Sequence, residues 1–294
     1  MTNKIRWTIA HEPAELFIRT ADSFNKHLST LTNGEWEVET ILLGRKPSYT
    51  KLMDEIKNGS IDMVQLPVGR VGLGLLDWPY LFRDHDHATK VLEGEIGKSL
   101  LKRLRKNNIE GLAFTYSGGF RIFVSDNPIN SLDDLKNIPI SVPDEPVLRD
   151  GLSVMGLKLD PRPISEDGYW AADQDCRAAE STFTRYLSEF ADMKNIVNSE
   201  HSLFLTTVIA SAEWFDNLDE QIQAKIRKAA ILAAADERSW SNEDTGKILD
   251  QAKDLGVNVY IPTDEEQSEM KAKVKDLDHR FPLYRNVIRA IQAV

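Results

Sequence analysis

Three strand-like runs separated by helical ones open the chain and restrict its first part to a parallel sheet. Residues 4–11 alternate and carry Ile5, Trp7 and Ile9, which predicts a half-buried strand. Residues 14–31 place Leu16, Phe17, Ala21, Phe24 and Leu28 at helical spacing. A second strand follows over 36–43, a short helix over 49–57 closed by Asn58-Gly59, and a third strand over 61–66. Strand, helix and strand at this spacing is the βαβ unit, which lays its strands parallel. Ligands of such sheets sit beyond the carboxyl ends of the strands. His11 and Glu12 close the first strand, and Tyr49, Gln65 and Trp78 lie at later strand-to-helix turns, so all five are candidate ligand contacts. For Glu12 the alternative is a helix cap.

The rest of the chain continues the α/β alternation. A helix is expected over 84–108, a strand over 109–116 and helices over 145–155, 165–175 and 183–190. Further strands are expected over 159–164, 177–181 and 202–209. Residues 213–251 read as one long helix with the small-residue centre Ala229-Ala230-Ile231-Leu232-Ala233-Ala234-Ala235. That centre suits close packing across two lobes, or burial within one. A strand over 257–261 and helices over 264–276 and 282–293 complete the chain.

Residues 118–143 read as a crossover between lobes. Gly118-Gly119 permits close backbone approach, a strand begins at Arg121, a capped helix follows around 131–136, and a second strand runs over 138–142. Arg121 lies between Phe120 and Ile122, so its charge requires an anion. That anion is either a ligand or an internal partner, Glu12 or Glu180. Glu180 and Ser181 end a strand of small side chains, where a ligand can approach backbone.

With 294 residues, 28% charged and 41% hydrophobic, the chain is large enough for two lobes and too apolar to be disordered. A net charge of −10 argues against nucleic acid as a partner. The basic cluster at 102–106 reads as a solvated helix face. Cys176 is the only cysteine, so the chain forms no internal disulfide, and burial as a small hydrophobe is its expected fate. No apolar run reaches the roughly 18 residues of a membrane span, so direct membrane insertion is not expected. The chain enters strand-like sequence at once, as one trimmed of a leader would, and this start leaves its compartment open.

His85-Asp86-His87 lacks a third ligand, and residues two apart point to different sides of a helix, so no metal is expected. The glycine-bearing loop at 69–74 lacks the Lys-Ser/Thr of a phosphate loop, and no dinucleotide fingerprint is present. Nor is there a serine elbow or a zinc-protease pair. No catalytic residue and no cofactor is therefore assigned. The rival class is a soluble α/β enzyme, a hydrolase or isomerase of a small organic acid using His11, Glu12 or His201. A ligand-sensing domain of a regulator would need a DNA-binding or signalling segment, and none is found.

Several ordered motifs carry a resemblance that spans nearly the whole chain. They are W-T-I-A-H-E, N-G-S-I-D-M-V, D-W-P-Y-L-F-R-D-H-D-H-A-T-K-V-L-E-G-E-I-G, G-G-F-R, N-P-I-N-S-L-D-D-L-K-N-I-P-I-S-V-P and M-G-L-K-L-D-P-R-P-I-S-E-D-G-Y. Together they resemble the solute-binding proteins of tripartite ATP-independent periplasmic (TRAP) transporters, of the dicarboxylate-binding DctP type. The resemblance implies a two-lobed periplasmic-binding-protein-like α/β fold with a ligand cleft, crossover strands and a long lobe-spanning helix. Residues 1–122 plus about 210–250 would form one lobe, and 123–209 plus part of 251–294 the other. The implied function is periplasmic capture of a small polar solute by cleft closure and delivery to a separate TRAP membrane permease.

Arg121 and His201 match an arginine and a histidine of this family, and Glu180 keeps a family glutamate. Ser141 stands where the family places a carboxylate-binding arginine, and Arg177 where it has an aspartate. Either Arg177 or Arg149 supplies the missing charge, or the solute is not a simple monocarboxylate. An organic acid, a polyol, a phosphate and a zwitterion all stay open. Tyr169 and Trp170 either cover the cleft or sit in the core, and Arg177 either meets the ligand or pairs with Asp173 or Asp175.

Overall fold

The computed structural model describes residues 2–9, 14–43, 49–160 and 177–294. His11, Glu12, Tyr169, Trp170, Cys176, the helix expected over 165–175 and most of the strand expected over 159–164 lie outside them. Nine strands are present among the described residues. They are β1 (Asn3–Ile9), β2 (Trp36–Leu42), β3 (Met63–Pro67), β4 (Ile109–Thr115), β5 (Arg121–Ser125), β6 (Ala178–Thr182), β7 (Asn195–Val197), β8 (Thr206–Ser211) and β9 (Asn258–Tyr260).

The chain divides into two compact units. The first holds Met1–Leu73, Leu92–Ser117 and Leu205–Ser241. The second holds Gly74–Val91, Gly118–Phe204 and Asn242–Val294, so the segment before Leu92 groups with the second unit and not with the N-terminal strands.

The first unit contains the sheet β2-β1-β3-β8-β4. β1 pairs parallel to β2 and β3, as the βαβ spacing requires. β8 enters between β3 and β4 antiparallel to both. Its sequence T-T-V-I-A-S is buried throughout, as a strand covered on both faces must be. Trp7 packs its ring 5.1 Å from that of Phe24 on helix Ala14–Thr32. Ala229, Ala230, Ala233 and Ala234 pack into the same core from helix Glu220–Asp254. Their methyl-sized side chains let a helix backbone lie close to its neighbours.

The second unit contains the sheet β6-β5-β7-β9. β5 is antiparallel to β6 and β7, while β7 and β9 run parallel. Of the strand expected over 138–142, only bridges survive: Ile140 to Leu159 and Ser141 to Ala179. The Ser141 amide donates to the Ala178 carbonyl at 2.9 Å, and the Glu180 amide donates to Ser141 at 2.8 Å. Residues 242–254 of the long helix belong to this unit, and Ala252 enters its core.

The helix expected over 84–108 is two helices, His85–Glu93 and Glu95–Arg103, followed by a 3-10 turn at Leu104–Asn107. Gly94 is extended (φ −78°, ψ −171°) and caps the second helix. A Cβ on Gly97 would lie 1.9 Å from the Leu92 carbonyl oxygen, so the chain folds back too tightly here for any larger residue. His87 serves this local structure: Nδ1 accepts from the Arg83 amide at 3.1 Å, and Nε2 lies 2.9 Å from the Ile291 carbonyl. The strand expected over 202–209 begins only at Thr206, because Phe204 donates its amide to Gly119 instead. None of the described helices is long and apolar enough to cross a membrane.

Candidate functional site

Strand register builds the main polar cluster of the second unit. Phe123 of β5 lies opposite Glu180 of β6, and Arg121 opposite Thr182. Positions 121, 123, 180 and 182 therefore share one face, and the diagonal Arg121–Glu180 pair is within reach of long side chains. Arg121 is buried, and its Nη1 donates to both carboxylate oxygens of Glu180 at 2.8 Å. Nη2 lies 3.9 Å from Oδ1 of Asp77, and the guanidinium sits 4.6 Å from the centre of the Phe204 ring. Its Nε meets no acceptor among the described residues. Burial opposes the guanidinium charge, but the Glu180 and Asp77 carboxylates, with Glu145 in support, outweigh it and hold the pKa above its ordinary value. The internal pairing with Glu180 is thus present.

His201 completes this cluster. Its ring stacks on Phe123 at 4.4 Å and 11°, Nδ1 lies 2.7 Å from Ser199 Oγ, and Nε2 lies 3.7 Å from Glu180. Burial, reinforced by the nearby Arg121 charge, pushes its pKa down to about 3. Burial thus favours the neutral ring well below the ordinary imidazole range. Because the folded value lies below the unfolded one, His201 withdraws stability as pH falls from about 6.5 toward 3. His201→Asn should flatten that part of a pH series of urea-unfolding curves. A series as steep as that of the unsubstituted chain would assign the acid loss elsewhere.

The other candidates separate. Ser181 is buried but alternates to the face opposite Glu180, and its hydroxyl lies 3.4 Å from the Thr182 carbonyl. Ser141 is half-buried beside β6. Arg149, half-buried on helix Pro146–Val154, donates to the main-chain carbonyls of Val142 at 3.4 Å and Asp160 at 3.3 Å. Arg149 makes no salt bridge among the described residues. Arg177 is exposed, and Asp173 and Asp175 lie outside the described residues. Trp78 is buried with its ring edge-on to Phe281 at 6.3 Å, which makes it a core residue of the second unit.

Gln65 and Tyr49 belong to the first unit. Gln65 is buried, with Nε2 2.9–3.0 Å from the hydroxyls of Thr115, Ser117 and Thr206. Tyr49 is half-buried beneath the Arg70 guanidinium, 4.8 Å from its ring centre.

Sequence reasoning missed Asp77, Ser199 and Glu237. Asp77 carried a usable signal, a carboxylate directly ahead of the apolar Trp78-Pro79-Tyr80-Leu81-Phe82 run. Glu237 carried none, since helical spacing alone does not show which polar residue of a long helix is buried.

Residues 9–282 match the model of the family described as bacterial extracellular solute-binding protein, family 7. The 2,3-diketo-L-gulonate-binding periplasmic protein YiaO of Escherichia coli is 27% identical over 83% of this chain and 76% of its own. The C4-dicarboxylate-binding periplasmic protein DctP of Rhodobacter capsulatus is 25% identical over 82% and 74%. Among solved structures, a TRAP periplasmic solute-binding protein from a Polaromonas species, bound to D-erythronate, superposes with a TM-score of 0.88. It is 24% identical and covers 99% of each chain, a likeness of fold. The chain belongs to family 7 of the bacterial extracellular solute-binding proteins.

Proposed function

We propose that this chain is the solute-binding subunit of a TRAP-type secondary transporter, working in the periplasm and passing its solute unchanged to a separate membrane permease. The family match over residues 9–282 carries this reading. The solute is a small polyhydroxy acid. Relatives and structural neighbours named for diketogulonate and D-erythronate support that class. In the second unit, Arg149 is bonded only to neutral carbonyls among the described residues, which leaves guanidinium donors for a carboxylate. Ser141 stands next to Val142, whose carbonyl accepts from Arg149, and its hydroxyl suits a hydroxylated partner better than a second carboxylate.

A thermal-shift screen of aldonates, hexuronates, C4-dicarboxylates, phosphates and polyols tests the class. A solute at a hundred times its Kd adds about 2.7 kcal/mol, or a rise of roughly 5–10 °C for a chain of this size. Aldonates or hexuronates are expected to give the largest rise. A response confined to phosphates or uncharged polyols would overturn the acid assignment.

A further inference from the structure

Three carboxylates are buried among the described residues of the first unit, Asp62, Glu110 and Glu237, and the last of them holds main-chain amides at the end of β4. Glu237 is buried on helix Glu220–Asp254. Oε2 accepts the Tyr116 amide and Oε1 the Ser117 amide, both at 2.7 Å. These two residues follow β4 directly, and Ser117 is the last residue of the first unit before the chain passes into the second. The backbone there is unusual: Ser117, Gly118 and Gly119 have φ of +44°, +131° and +74°. Serine rarely adopts such a conformation unless its surroundings impose it.

The neighbouring groups extend the same attachment. Ser117 Oγ lies 2.6 Å from Thr206 Oγ1, and Thr206 follows directly on Leu205, where the chain re-enters the first unit. Thr206 Oγ1 also lies 2.5 Å from Thr115 Oγ1. Glu237 itself stands four residues before Ser241, where the long helix leaves the unit. Thr115, Ser117, Thr206 and Glu237 are thus joined in one buried polar cluster of the first unit. Among the described residues, Glu237 is the carboxylate of that cluster.

We propose that Glu237 is a proton-released clasp on the chain crossover. As a carboxylate it holds both amides; on taking a proton from solvent it gives up one and frees residues 117–119 to change conformation. The chemistry is that of the acceptor: a carboxylate accepts at both oxygens, whereas in a carboxylic acid one oxygen carries a hydroxyl that turns to donate. Burial pushes this carboxyl up to about 7, against the two amide bonds and the charges of Arg238 and Arg19, so the proton exchanges near neutrality. The charged groups around it are otherwise engaged. Arg238 donates to the Phe114 carbonyl at 3.0 Å and pairs with Glu93, and its guanidinium is 5.9 Å from the Tyr116 ring. Arg19 lies over the Trp240 ring at 4.1 Å, and Asp236 is turned to Ser23 and His27.

The test is amide hydrogen exchange by NMR on the full unliganded chain at pH 6 and pH 8, corrected for intrinsic rates. Protection of the Tyr116 and Ser117 amides, relative to residues 5–9 of β1, should be roughly tenfold higher at pH 8. In Glu237→Gln it should be low and equal at both pH values. Equal protection in the unsubstituted chain would overturn the clasp, as would the same pH step in Glu237→Gln. If that variant fails to fold, the unsubstituted chain decides alone. No solute is present, so the result is independent of the transport reading.

Discussion

Replacing Arg121 by alanine is expected to lower the unfolding free energy by about 3–5 kcal/mol, the range found when one partner of a buried ion pair is removed. Glu180 is fully buried and receives both of its 2.8 Å bonds from one Arg121 nitrogen. Without the guanidinium it must stay charged and unpaired in an apolar setting or take up a proton. The variant should also lose the contact with Phe204 and the charge that offsets Asp77. Urea unfolding measures the loss. A double-mutant cycle with Glu180→Ala should fall short of additivity by about 1–3 kcal/mol, because the second substitution removes the group that the first stranded. A variant of full stability that has lost only solute affinity would show instead that Arg121 serves the solute.

Gly118→Ala should destabilise by about 3 kcal/mol, through two effects at one atom. At φ +131° an L side chain is strained whatever the space. The added Cβ would also lie 2.5 Å from Thr184 Oγ1 and 2.7 Å from Thr182 Oγ1. Those hydroxyls are 3.0 Å apart on short, branched side chains with little rotamer freedom to withdraw. Gly256→Ala is the control: its φ is +72° and nothing lies within 4 Å of the added carbon, so it should show only the backbone strain, about 1 kcal/mol. Equal losses for the two variants, read as unfolding midpoints at constant urea dependence, would remove the close approach from the explanation.

Local pattern made the first unit's parallel strands legible. Ile5, Trp7 and Ile9 alternate as a strand must, and the helical runs between strands left only a parallel arrangement. The antiparallel insertion of β8 was not legible: it pairs Val208 with Gln65 of β3 and Ala210 with Glu110 of β4, 143 and 100 positions away in the chain, and no local feature of T-T-V-I-A-S states which neighbours it will meet. The single helix expected over 84–108 failed at Gly94, where apolar periodicity continues across a residue that leaves helical backbone geometry.

The site divides in the same way. Arg121 was identified because a charge among apolar neighbours demands an anion, and Glu180 was named as a possible partner. That they meet follows from the β5–β6 register, which a single sequence does not specify. Gly118-Gly119 signalled close approach, yet what approaches is the Thr182 and Thr184 pair from a distant strand and helix start. Glu237 reaches amides 120 and 121 positions away in the chain. Contacts of that span are decided by packing and leave no trace in local spacing.

Solute capture is tested most directly by isothermal titration calorimetry with the acid that gives the largest thermal shift, followed by NMR of the recovered mixture. The expected result is one-to-one binding of an aldonate or hexuronate with a Kd of micromolar or tighter, and the acid recovered chemically unchanged. Conversion of the acid to a new species, or no binding by any acid, would contradict it.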